Sequence, residues 1–346
     1  MKRNSSVDII KFVFSIIIIL YHFGFAIWGG YIVVEGFFMI TGFLMMSSMT
    51  KATDVEEVLP DSTARFVLRK YSSIFFPLLF SALIGFLAYE YPAEYLPRLL
   101  FEVFPMQMAG LDGLWVTGVS WYLSAMLLSV AILHLAARKN PEQFGYSVAP
   151  ILCVLSYGLL CLQIGHLDVS DTWIFDFLNA GILRAVAGMS AGFVLFLLVK
   201  RSKKEISPVM RGVYSALEIG SWAGLIYFIC ASKEQYVGRY TRTSNDFIVV
   251  ALIFGLLYLA FSGKTVLALV GNRKITGVLA TASTYIFLNH YYWKMIIRNR
   301  YATVSVGKLL PLYLLMIALS SVLAWGLTEI TYLLIRKLKK VKNGKK

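Results

Sequence analysis

Four ionisable side chains interrupt otherwise apolar stretches of this chain, and their types suit proton transfer: Lys11, His22, Glu35 and His290. Such groups are costly at membrane depth, so the default is that they face a protein interior or water and serve a function. Lys11 and His22 are separated by about three helical turns, which puts both on one stripe of one helix, roughly 16 Å apart along its axis. The pair Gly29-Gly30 follows, with His22 and Glu35 nearly equidistant on either side of it. A helical hairpin turning there brings His22 and Glu35 to similar depth, facing each other. A histidine whose tautomer is fixed by a carboxylate is the usual arrangement of a general base. His290, roughly 20 Å into a later segment that enters near Gly277, reaches a comparable depth on a different helix.

The elements that must hold these groups are membrane helices. The chain has 346 residues, 58% of them hydrophobic and only 15% charged, whereas soluble domains carry about 25% charged residues. Apolar runs of the length a bilayer demands predict an all-α, polytopic transmembrane bundle, a single domain over 1–346 with about ten helices. They fall at 7–28, 31–49, 71–91, 119–137, 146–165, 180–199, 212–231, 246–263, 277–297 and 309–335. The first run is too long for a leader and has no small-x-small cleavage site, so it reads as a span. The segment 92–118, where Tyr95, Phe101 and Phe104 mix with Glu94, Arg98 and Glu102, reads as interfacial.

Most of the 33 lysines and arginines fall in alternate connections, with Lys51, Arg65, Arg69, Lys70, Arg138, Lys139, Lys200, Arg201, Lys203, Lys204 and Arg211 on one side. The positive-inside rule makes that side cytoplasmic, so both termini are cytoplasmic and 336–346 is a basic cytoplasmic tail. The net charge of +14 is then a property of inner loops attracted to anionic headgroups. No basic domain stands apart from the helices, which argues against nucleic acid as a partner. Cys153, Cys161 and Cys230 have neither disulfide nor metal-ligand spacing, and no metal site is expected.

Two of these stretches carry a family resemblance. Asp8-x-x-Lys11, then His22, then Val34-Glu35-x-Phe37-Phe38-x-x-Thr41-Gly42-Phe43 resembles the opening of the acyltransferase-3 family of integral membrane acyltransferases. The family usually has Arg, Asp and Ser where this chain has Lys11, Glu35 and Thr41. Arg65, Arg69 and Lys70 ahead of Pro77 resemble its basic cluster, with Ser73 at a position often filled by Arg. Trp121-Tyr122-Leu-Ser-Ala-Met126 resembles its fourth-helix motif, and Ser283-x-Tyr285-x-x-x-x-His290 its late motif.

The resemblance implies a bacterial cytoplasmic-membrane enzyme that moves an acyl group, acetyl ahead of succinyl, from acyl-CoA to a hydroxyl of a surface glycan or lipid-linked sugar. His22 is then the general base with Glu35 and His290 beside it. Lys11, Arg65, Arg69 and Lys70 grip the phosphates of acyl-CoA, which is a substrate rather than a resident cofactor. Trp121 and Tyr122 line an outer mouth that takes a sugar ring, and Arg184 pairs with Asp176 or lines a polar cavity there. Transfer through an acyl-histidine remains open beside direct transfer. His134 and His166 read as structural or solvated, and Glu329 as a weaker intramembrane acid. Lys233, Arg239 and Arg242 read as a solvated outer loop. The competing class is a secondary transporter or flippase that uses the buried ionisable residues for proton coupling. Against it, the chain lacks broken helix pairs in two matching halves.

Overall fold

The computed structural model describes residues 4–51, 61–105, 107–110, 113–170, 172–202, 205–231, 243–270 and 273–343. Lys203, Lys204, Lys233, Arg239 and Arg242 lie outside these. The described chain forms a helical bundle whose long helices are α1 (Ser5–Phe23), α2 (Val34–Met49), α3 (Asp61–Ala88), α4 (Ser120–Ala137), α5 (Ala149–Gln163), α6 (Ala180–Arg201), α7 (Pro208–Ala231), α8 (Thr243–Ser262), α9 (Arg273–Arg300) and α10 (Val306–Asn343). Each matches one run found in the sequence. Among the described residues, nine spans are long and apolar enough to cross a membrane. The exception among the ten is α9, whose polar residues include Asn289, His290 and Lys294. The connection 92–118 is short helical turns, and a two-stranded ribbon pairs Trp173–Ile174 with Leu178–Asn179.

Large apolar side chains point outward along several helices: Leu162 is 79% exposed, Val154 70% and Ile219 70%. Water would not tolerate so much continuous apolar surface, whereas hydrocarbon does, and helices satisfy their own backbone groups there. Inside, one core joins α1, α2, α4, α5, α6 and α8. A second cluster seats Ile19 and Phe23 of α1 against Ile297, Leu309, Tyr313 and Ile317.

The expected hairpin of α1 on α2 does not form. Helix α1 begins at Asn4, whose side chain accepts from the Ser6 and Val7 amides, and ends at Gly24 in a left-handed cap (φ 80°). Gly24 suits that conformation because it has no Cβ. The chain then leaves the axis, and the amides of Trp28 and Gly29 donate to the Ile229 carbonyl at the end of α7. Consequently α1 packs chiefly on α9, while α2 packs on α6. Close approach explains the second choice. A Cβ on Gly42 would lie 2.1 Å from the Met189 carbonyl oxygen, and one on Gly192 2.2 Å from that of Met39. Small residues let the two backbones meet, the usual basis of helix association in lipid.

Candidate active site

His22 occupies the last turn of α1, just before the Gly24 cap, and is half-buried. Its ring lies 5.1 Å from the ring of His290, centre to centre, with the planes inclined at 35°. Tyr21 and Tyr291 flank it at 5.0 and 5.6 Å. The fold thus brings together the two intramembrane histidines from opposite ends of the sequence, because α1 packs on α9.

His290 is fully buried, and its Nδ1 is 2.6 Å from the Phe287 carbonyl oxygen. A carbonyl only accepts, so Nδ1 carries the proton and Nε2 carries the lone pair. That Nε2 has no hydrogen-bond partner among the described residues. A buried acceptor without a partner is uncommon in folded proteins, and a water or a reactant can supply the missing donor.

Glu35 is placed differently from the sequence expectation. Its Oε1 receives the Arg184 Nε–H at 2.7 Å and its Oε2 the Tyr157 hydroxyl at 2.6 Å, with no bond to His22. Arg184, 2% exposed, also donates to the carbonyls of Val169 and Tyr31, at 2.7 and 3.3 Å, and its guanidinium lies 5.2 Å from the centre of the Trp121 ring. Arg184 therefore pairs with Glu35 instead of Asp176. The reason is the α2–α6 contact, which seats Gly188 against Phe38 and Glu35 and brings the arginine of the preceding turn to the carboxylate. Both charges are matched and desolvated together.

Three cavities lie along α1 and α9; His22 lines one of them and His290 none. An inner one of about 180 Å³ has Lys11 and Lys70 in its wall, with Ser15, Ser283 and Thr284, and includes the rings of Phe37, Tyr122 and Phe287. Those rings stand 5.6 to 6.3 Å apart, and Phe287 is 5.8 Å from His290. A neighbouring polar cleft of about 480 Å³ shares Lys11 and adds Asp8 and Glu329. Arg65 and Arg69 lie on the exposed surface of α3, outside the inner cavity's wall, and Arg69 extends over the Phe66 ring. The third cavity, about 240 Å³, contains His22 with Tyr21, Gly24, Ile27, Trp28 and Lys294. Trp121 and Tyr122, expected at an outer mouth, are not in it. Trp121 packs on Arg184 and Tyr122 lines the inner cavity.

The remaining histidines have local roles. His134 stacks on Phe66 and bonds to the Thr63 hydroxyl, and His166 accepts from the Asp168 amide. Residues missed in the sequence are Tyr157, Trp28 and Lys294. Only Lys294 had a legible signal, one helical turn beyond His290 on the same face. Outside the spans, Glu102 is fully buried and accepts from the amides of Val116 and Thr117, both at 2.8 Å, and from the Thr117 hydroxyl. Burial pushes its carboxyl up to about 7 despite those donors.

Comparison with known proteins extends the resemblance over nearly the whole chain. The model of the acyltransferase-3 family, described as an acyltransferase domain, matches residues 4–329. A stretch of 163 residues is 22% identical to the Nitrite extrusion protein of Bacillus subtilis (strain 168), covering 47% of this chain and 38% of that protein. The chain thus spans well under two thirds of that relative's length. No solved structure matches. With the histidine pair set among membrane helices and the family match running from the start of α1 into α10, the chain belongs to the acyltransferase-3 family and is an integral membrane protein.

Proposed function

We propose that this enzyme transfers an acyl group, acetyl by preference, from cytoplasmic acyl-CoA to a hydroxyl of a bacterial surface glycan or lipid-linked sugar at the cytoplasmic membrane. The observation that carries the reading is the histidine pair, with His22 in one cavity and His290 next to Phe287, a wall residue of a second cavity that also holds Lys11 and Lys70. Phosphates of the donor sit at Lys11 and Lys70, with Arg65 and Arg69 on the surface that leads to them. The long pantetheine arm matches the roughly 16 Å from Lys11 to His22. Its acyl carbon reaches the histidines past Phe287.

In direct transfer the acceptor oxygen attacks the thioester carbonyl while His22 takes its proton. The carbon–sulfur bond then breaks, and the departing thiolate takes that proton, giving an ester and free CoA. His290 fills the role first given to Glu35. Its unpartnered Nε2 is the lone pair available to accept from the His22 imidazolium, and the Phe287 carbonyl holds its tautomer. Glu35 and Arg184 act at one remove, as the ion pair that fixes α2 on α6.

The second reading, proton-coupled transport, draws on the likeness to a protein named for nitrite extrusion, which covers less than half of this chain. One experiment separates the two. Purified protein given acetyl-CoA and a glycan acceptor releases CoA in step with ester formation, and His22→Ala inserts normally but abolishes both. Undiminished turnover in His22→Ala rules out the mechanism.

A further inference from the structure

The wall of the His22 cavity carries a cation that the transfer chemistry does not use. We infer that the cavity selects an acceptor bearing an anionic group, a carboxylate or a phosphate, close to the hydroxyl that is acylated, and that Lys294 binds it. This rests on the acyl-transfer reading and names the substrate class for it.

Lys294 has no ion-pair partner among the described residues, in contrast to Arg184, which has Glu35. Asp168 touches the cavity-wall residue Tyr21 but bonds to its hydroxyl through both carboxylate oxygens at 3.1 Å. The ammonium is placed instead by a ring, with Nζ 4.7 Å from the centre of Tyr291, whose plane stands at 87° to that of His22. A cation over a ring keeps its charge and leaves N–H donors open to a ligand. Arg298, one turn further along the same face of α9, is half-buried and continues the positive path away from His22.

Charge balance decides between a neutral and an anionic acceptor. His22 must become positive when it takes the hydroxyl proton, and Lys294 shares its cavity. Like charges at that range in a poorly hydrated site oppose each other strongly. A neutral sugar leaves the opposition in place, whereas an anion bound at Lys294 removes it as the proton moves. Size and shape complete the class. About 240 Å³, with Trp28 and Tyr21 in the wall, is at or below the small end of ligand pockets and suits one sugar-sized unit.

The test uses intact protein in detergent and three probes: methyl glucoside, glucuronic acid and glucose 6-phosphate. Binding is followed by thermal shift, and CoA release from acetyl-CoA is followed in the same samples. At least one acidic probe binds more tightly than the glucoside, and comparing the two acids tells carboxylate from phosphate. Lys294→Met weakens the acidic probe about 10- to 100-fold, the worth of a charge-assisted contact, while Lys294→Arg keeps most of the affinity. Equal binding of all three probes, binding of none, or an unchanged preference in folded Lys294→Met overturns the inference. Anion preference without CoA release faults the acyl-transfer reading and leaves Lys294 as an anion site. CoA release with no anion preference does the reverse.

Discussion

Helices α2 and α9 each bury polar groups at membrane depth, and they treat them in opposite ways. In α2, both oxygens of Glu35 are bonded and the paired Arg184 is matched by three acceptors. In α9, His290 keeps a bare Nε2 and Lys294 has no described acid. Removing a buried charge from water is tolerable only when it is fully matched, so α2 spends its polar residues on architecture. On the proposed reaction, the unmatched groups of α9 are the ones left for reactants.

That contrast can be broken in order of expected effect. Glu35→Gln strands the Arg184 charge and costs about 3–5 kcal/mol of stability. A thermal melt in detergent should fall while acyl transfer per folded molecule changes little. The converse, an intact melt with lost chemistry, would move Glu35 into the site. His290→Ala should leave the melt near wild type and lower kcat about 100-fold, the low end for a positioned acid–base group. It should also alter the pH profile of kcat, which a packing defect would not do.

Two smaller effects sharpen the comparison. Lys11→Ala should raise KM for acetyl-CoA about tenfold, as loss of one charge-assisted contact to phosphate, with KM for the acceptor unmoved. A change confined to the acceptor would place Lys11 on the wrong side of the histidines. Glu102 tests whether a saturated acid outside the spans behaves as scaffold. Its carboxyl is raised from the ordinary 4.5 to about 7, so the folded state holds a proton that the unfolded chain releases. Stability is therefore greatest below about 4.5 and declines as the pH rises to about 7, after which it levels off. Glu102→Gln should abolish that slope in a melt series and cost about 1 kcal/mol at the acidic end, where an amide faces the Val116 or Thr117 N–H.

Much of the scaffold was legible because a bilayer imposes a simple rule on chain composition. Every long helix coincides with an apolar run, and even α9 was found despite Asn289, His290 and Lys294. The two histidines were matched in depth by counting residues along each helix. Partner choice was not legible. The pairing of His22 with Glu35 assumed that consecutive helices touch, and the Gly24 cap and the α7 contacts of Trp28 and Gly29 send the chain elsewhere. Arg184 meets Glu35 because Gly42, Gly188 and Gly192 let two backbones close, a fact of three-dimensional fit that no local pattern encodes. Tyr157 had no signal at all, being one phenol in an apolar helix. Lys294 did have one, since any helix carrying a reactive group presents the residue four places on beside it.

The rings of Phe37, Tyr122 and Phe287 have a consequence for the cell that keeps this protein. They line the inner cavity, which is separate from the one holding His22. On the proposed reaction, material arrives from both faces of the membrane without the two aqueous sides ever being joined by a hole. On that reaction the arrangement would work as an airlock, letting a thioester made in the cytosol be used outward while the proton gradient across the bilayer is left standing.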